Sequence, residues 1–113
     1  MTLQALIDVC GFETVCVPDG QVPVMGAYTS DLLSDVMAHC PEAAVLITVQ
    51  NHRNAVAVST LVGAAAILIV HHRDIPEEML DLARGEGVAL LRTPENQFEA
   101  SCRIGAVLSE TDR

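Results

Sequence analysis

No lysine and no tryptophan occur in this chain, and its aromatic residues are one tyrosine and two phenylalanines. Without lysine there is no Schiff-base chemistry. A P-loop kinase is also excluded, because that loop needs its lysine on the phosphates and no Walker-type glycine run is present. So few aromatics leave no platform for base stacking. Fifteen acids against six arginines give a formal charge of -9, which repels a polyanion, so nucleic acid is not an expected partner. The N-terminus lacks a basic region followed by an apolar core and does not read as a signal peptide. The longest mostly apolar stretch, residues 55–70, contains Ser59, Thr60 and Gly63 and falls short of the roughly 20 residues that cross a bilayer. The chain is expected to be cytoplasmic, with no membrane partner.

What is present is aliphatic: half the residues are hydrophobic, the composition of buried parallel strands covered by helices. One domain over residues 1–113 fits this length. Thr2 caps a first helix carrying Leu3, Leu6, Ile7 and Cys10 and closed by Gly11. Residues 14–17 form a short strand ended by Pro18-Asp19-Gly20, and residues 22–28 run extended beside the sheet. Ser30 caps a second helix, with Asp31 in its first turn and Leu32, Leu33, Val36, Met37 and Cys40 as its buried stripe. Residues 44–49, 65–70 and 88–91 are apolar strands. A small-residue helix over 55–61 and a helix opening at Pro76 separate them. Thr93-Pro94 starts a last helix whose inner face is Phe98, Cys102, Gly105 and Leu108, and residues 110–113 are a frayed tail. Strand and helix alternating with short connections predict an α/β three-layer sandwich with a mostly parallel central sheet.

In such a sheet ligands collect outside the carboxyl ends of the strands, beside helix N-termini. Three loops converge there, residues 50–54, 71–74 and 93–95, and residues 28–31 open another helix near the same edge. The candidate ligand contacts are Tyr28, Ser30 and Thr48 at the borders, then Gln50, Asn51, His52, Arg53 and Asn54 in the first loop. His71 and Arg73 come from the second and Thr93 from the third. Amides, hydroxyls, imidazoles and two arginines suit a small anion such as a nucleotide phosphate. No glycine-rich turn accompanies them, and the competing reading is a polar rim that binds nothing.

Spacing assigns no metal site. His71 and His72 are adjacent and point apart on an extended chain. A metal would have to combine His52 with one of them and with Asp74 or Cys40, and no HxxxH or CxxC pair exists. The four cysteines, Cys10, Cys16, Cys40 and Cys102, read as buried free thiols. Ser34 and Ser59 lie within helices without nucleophile-elbow glycines, and no carboxylate pair stands out as acid and base. The chain is therefore not read as an enzyme, and the residues name no cofactor.

The segments "GAYTSDLLSDVMAH" (26–39), "ITVQNHRNAVAVSTLVGAAAILIV" (47–70) and "PEEMLDLARGEGVALLRTPENQFEA" (76–100) resemble, in order and spacing, DRTGG-type domains, which are similar to the N-terminal domain of HPr kinase/phosphorylase. The resemblance covers nearly the whole chain. It implies an HPr kinase N-terminal-domain-like fold, a homodimer, and a regulatory or ligand-sensing role with adenine nucleotide as a possible ligand. The short free-standing subgroup it resembles is often associated with iron-only hydrogenase operons. A hydrogenase-system or sensor-kinase protein is then an implied partner. The alternative function is an accessory metal or redox protein for hydrogenase maturation or electron transfer, using His52, His71, His72 and the cysteines. The family's name-giving loop falls at residues 50–54, which lack its glycine and acids.

Overall fold

The computed structural model of the protein describes residues 1–111. Along the chain run α1 (Leu3–Cys10), β1 (Glu13–Cys16), β2 (Gly26–Thr29), α2 (Leu33–His39) and β3 (Ala44–Thr48). They are followed by α3 (Arg53–Val62), β4 (Ala66–Ile69), α4 (Glu77–Glu86), β5 (Ala89–Arg92) and α5 (Gln97–Thr111). The five strands form one sheet in the order β1-β5-β4-β3-β2. β2 to β5 are mutually parallel, and β1 lies antiparallel to β5 at the far edge.

Side chains alternate across a strand, so each central strand serves two cores. Val45, Ile47, Leu68 and Leu91 pack with Leu3, Leu6 and Ile7 of α1 and with Ala100 and Ile104 of α5. Leu46 packs with Val36 of α2 and Val58 of α3, while Ile67, Ile69 and Leu90 meet Val56 of α3 and Met79 of α4. Two helices cover one face and three the other, which completes the expected three-layer α/β sandwich. Burial on both faces is why β3 and β4 are continuous apolar runs in the sequence. Thr2 caps α1 as expected, its hydroxyl accepting from the Ala5 amide at 3.1 Å. Gly63 ends α3 at φ 70°, a left-handed conformation in which a side chain is strained.

Several expectations are corrected. Residues 26–29 lie off the centre of the sheet, as expected, but as an edge strand hydrogen-bonded to β3 and not as a segment beside it. Helix α2 starts at Leu33, and Leu32 rather than Ser30 holds the capping position, without a side-chain bond. Leu32 and Met37 are largely exposed, and only Val36 of the expected stripe is fully buried. Helix α3 already begins at Arg53. Helix α5 begins at Gln97, after a reciprocal cap: Asn96 Oδ1 accepts from the Glu99 amide at 2.8 Å, and Glu99 Oε1 accepts from the Asn96 amide at 3.1 Å. That cap turns Ala100 and Ile104 to the sheet and leaves Phe98, Cys102 and Gly105 exposed. Only Cys10 is buried among the cysteines; Cys102 is exposed, and all four are free thiols. Of the expected tail, Glu110 and Thr111 continue α5, and residues 112–113 lie outside the described residues.

Ser59 is 1% exposed, and its hydroxyl finds no partner among the described residues. A buried hydroxyl without a hydrogen bond opposes folding. Ser59→Ala is expected to raise stability by about 1 kcal/mol, read as a higher urea midpoint with an unchanged slope.

Candidate functional site

The carboxyl ends of β2 to β5 put four connections on one edge of the sheet: residues 30–32, 49–52, 70–76 and 93–96. Asp31 organises the first two. Its Oδ1 accepts from Thr48 Oγ1 at 3.1 Å, the Val49 amide at 2.9 Å and Gln97 Nε2 at 2.8 Å. Its main-chain carbonyl accepts from Gln50 Nε2 at 2.6 Å, and the Gln50 amide donates to Thr48 Oγ1. Asp31 is thus a buckle between β2, β3 and α5 and not an acid in the first turn of a helix.

The other two connections are sewn together. β4 leads to α4 on one face and β5 leads to α5 on the other, the divergence that usually opens a crevice. Here the His71 amide donates to the Glu95 carbonyl and the His72 amide to the Thr93 carbonyl, both at 2.9 Å. These bonds hold His71 and His72 at φ 57° and 49°, a left-handed pair that costs about 1–2 kcal/mol per residue. Strain of this kind persists only where surrounding bonds over-determine it. Asn51 Nδ2 reaches the Asp74 carbonyl at 2.7 Å, and Arg73 donates to Asn51 Oδ1 at 3.3 Å.

Carboxylates near this edge are largely engaged. Glu13 binds Arg92 at 2.6 Å and meets His72 at 3.5 Å. Glu95 binds Arg103 at 2.6 Å and accepts from Thr93 Oγ1. The Arg103 bond, joined by that of Thr93, holds the Glu95 carboxyl below its ordinary 4.5 against the opposing effect of burial. Arg103 also donates to the Cys10 carbonyl and lies 5.0 Å over the Phe12 ring, tying α5 to the end of α1.

The anticipated contacts therefore divide. Thr48, Gln50, Asn51 and Thr93 reach the edge but spend their polar groups on internal bonds, and Thr48 and Thr93 are buried. Ser30 turns back on Leu32. Tyr28 sits on the α2 face, its hydroxyl donating to Asp35 at 2.6 Å. His52, Arg53, Asn54 and His71 are exposed, and their side chains have no hydrogen bond or ion pair among the described residues. Arg53 and Asn54 open α3 rather than a loop. Asp31, Gln97, Glu95 and Arg103, which hold the edge together, were not anticipated. Asp31 to Gln97 and Arg103 to the Cys10 carbonyl span large sequence separations, and the Glu95–Arg103 pair, eight residues apart, follows no motif.

Among the described residues no three of His, Cys, Asp and Glu are placed to share a metal ion. A crevice of about 180 Å³ lies at the opposite, amino end of the strands, lined by Pro18, Pro23, Gly63 and Gly87 with Asp19 as its one ionisable side chain. No helix among the described residues is long and apolar enough to cross a membrane.

No protein-family model matches the sequence, and no curated protein matches it. Among solved structures the chain is similar to the CBS and DRTGG domains of the regulatory region of Clostridium perfringens pyrophosphatase, complexed with the activator diadenosine tetraphosphate. The TM-score is 0.73 at 15% identity, over 91% of this chain and 45% of that one. This likeness carries the fold, and the chain spans less than half the length of that regulatory region.

Two outcomes follow from the edge. Asp31→Ala leaves the Val49 amide, Thr48 and Gln97 without their acceptor and is expected to destabilise by about 2–3 kcal/mol, against about 1 kcal/mol for Gln97→Ala, both by chemical denaturation. A carboxyl held below its ordinary pKa in the fold contributes stability above the unfolded value and loses it as pH falls through the folded one. The Glu95 contribution should accordingly be full above pH 4.5 and fade at lower pH. In Glu95→Gln that part of the acid sensitivity should be missing from the stability profile.

Proposed function

We propose that the chain is a non-catalytic regulatory module of the cytoplasm, one domain over residues 1–113, that senses a small anionic ligand at the carboxyl ends of its strands. The observation that carries this is a pair of arginines on that edge without carboxylate partners. Arg53 and Arg73 have no carboxylate partner among the described residues, and His52 and His71 lie on the same edge. In a chain with a formal charge of -9, two arginines without a carboxylate partner, one opening α3 and one bonded to Asn51 just before it, form a locally favourable place for an anion. Asp74 is the opposing charge there, and it is exposed.

The structural relative supports the same reading, since it belongs to a regulatory region and binds diadenosine tetraphosphate. Adenine nucleotides are therefore the first ligands to try. The His71 and His72 amides are spent on the Glu95 and Thr93 carbonyls, so side chains such as Arg53 and Arg73 would meet the phosphates. Self-association as a homodimer belongs to the proposal, as does a client protein of the hydrogenase or sensor-kinase class implied by the sequence resemblance.

Isothermal titration with ATP, diadenosine tetraphosphate and inorganic phosphate tests the ligand. Binding by at least one phosphate compound is expected, weakened roughly tenfold or more in the Arg53→Ala/Arg73→Ala variant. Heats indistinguishable from dilution for all three remove the ligand-sensing role.

A further inference from the structure

We infer that the groove between α3 and α4 docks a basic, apolar segment of a partner protein. An apolar side chain of that segment lies in the groove, and a neighbouring lysine or arginine meets Glu86 at its end. This docking goes beyond the anion-sensing reading and does not depend on it, because the groove lies along the outer helices rather than among the carboxyl-end loops.

Parallel strands require crossover helices that run in one direction. β3, β4 and β5 are parallel, so α3 and α4, which connect them, lie side by side with their C-termini at the amino end of the sheet. Val56, Met79 and Ala83 pack together over Ile67 and Ile69 of β4. Above that layer the two helices part. Ala57, Thr60 and Leu61 of α3 and Leu82 and Glu86 of α4 line a groove of about 290 Å³. Leu61 is 74% exposed, an aliphatic side chain at the groove wall that the fold does not bury.

The groove has few polar groups of its own. Thr60 Oγ1 donates to the Val56 carbonyl at 3.1 Å, within its own helix. The Glu86 carboxylate is the lining group that makes no hydrogen bond or ion pair among the described residues. Apolar walls ending in one open, charged acceptor suit an apolar body that carries a cationic donor.

The field at that end has the same sign. α3 and α4 finish at Gly63 and Gly87, both left-handed, and the two glycines line one crevice, so the two C-termini are neighbours. Each terminus leaves carbonyls without intrahelical partners and a partial negative charge. Glu42 lies against Gly63, where an added Cβ would stand 3.6 Å from its Cγ. Glu78 lies about two turns before Glu86, on the same side of α4. Arg53 opens α3 about 12 Å along the axis from Leu61. Arg84 falls on the opposite side of α4 from Leu82 and Glu86.

Charge therefore selects the occupant. A second copy would bring its own Glu78 and Glu86 against this face about a two-fold axis, and two chains of formal charge -9 repel. A basic segment is attracted instead.

NMR titration of the labelled protein at physiological salt tests this with a short amphipathic peptide of leucine and lysine, capped at both ends. The same peptide with glutamate in place of lysine is the comparison. The lysine peptide should bind and shift the amides of residues 57–61 and 82–86, and the glutamate peptide should not bind. Leu61→Glu adds a negative charge yet should weaken binding roughly tenfold or more. Glu86→Gln should weaken it about threefold, and Glu110→Gln, on α5, by less than about twofold. All three positions are exposed, and circular dichroism should be unchanged. Binding that is equal or stronger in Leu61→Glu shows diffuse attraction to an acidic chain and overturns the groove. Groove amides that shift with protein concentration, without peptide, show a second copy there and overturn the basic partner. A lysine peptide that does not bind overturns the inference outright. None of these outcomes bears on the phosphate titrations that test the anion site.

Discussion

One carboxylate holds the carboxyl-end edge of this sheet in register. Asp31 collects a threonine hydroxyl, a main-chain amide and a glutamine side chain on a single oxygen, while its carbonyl takes a second glutamine. Hydrogen bonds to an ionised group are stronger than neutral ones. Here the donors come from the strand next door and from a helix 66 residues away in sequence. The loop after β3 has its first amides and side chains committed to this buckle. What remains to face solvent at the start of α3 is His52, Arg53 and Asn54.

The opposite half of that edge is fixed by different means. The loops after β4 and β5 diverge to opposite faces, yet two amide bonds from the left-handed pair His71 and His72 draw them together. The strained backbone is tolerated because Thr93 and Glu95 supply acceptors at the right places. Their side chains are held in turn by one another and by Arg103. The two halves share a consequence: most polar side chains of the edge are structural, and among the groups left over is the arginine Arg53. An anion site composed of leftovers needs no glycine-rich turn, because side chains rather than backbone amides would meet the ligand.

The two sheet edges express a second division of labour. One is interrupted by a register shift and marked by charge; the other pairs in regular register and carries no charged residue. Leu32 follows Asp31 in the chain and Phe98 follows its donor Gln97, and both side chains are exposed.

Layering, strand positions and the closing glycines were legible in the sequence because they rest on local signals. Continuous aliphatic runs, a capping threonine and glycine just past a helix mark β3, β4, α1 and the end of α3 wherever the chain is read. The location of the edge loops followed from the same pattern. The roles of side chains on that edge did not, because Asp31, Gln97 and Arg103 find partners far away in sequence. The stripe of α5 was misassigned for a related reason. Phe98, Cys102 and Gly105 have the spacing of a buried face, but the cap at Asn96 and the fit of Ala100 and Ile104 against the sheet decide the helix rotation. Periodicity alone thus determined which segments are strands and helices. Tertiary packing decided which polar groups are consumed and which apolar face stays open, because those outcomes depend on contacts between residues that the chain order keeps apart.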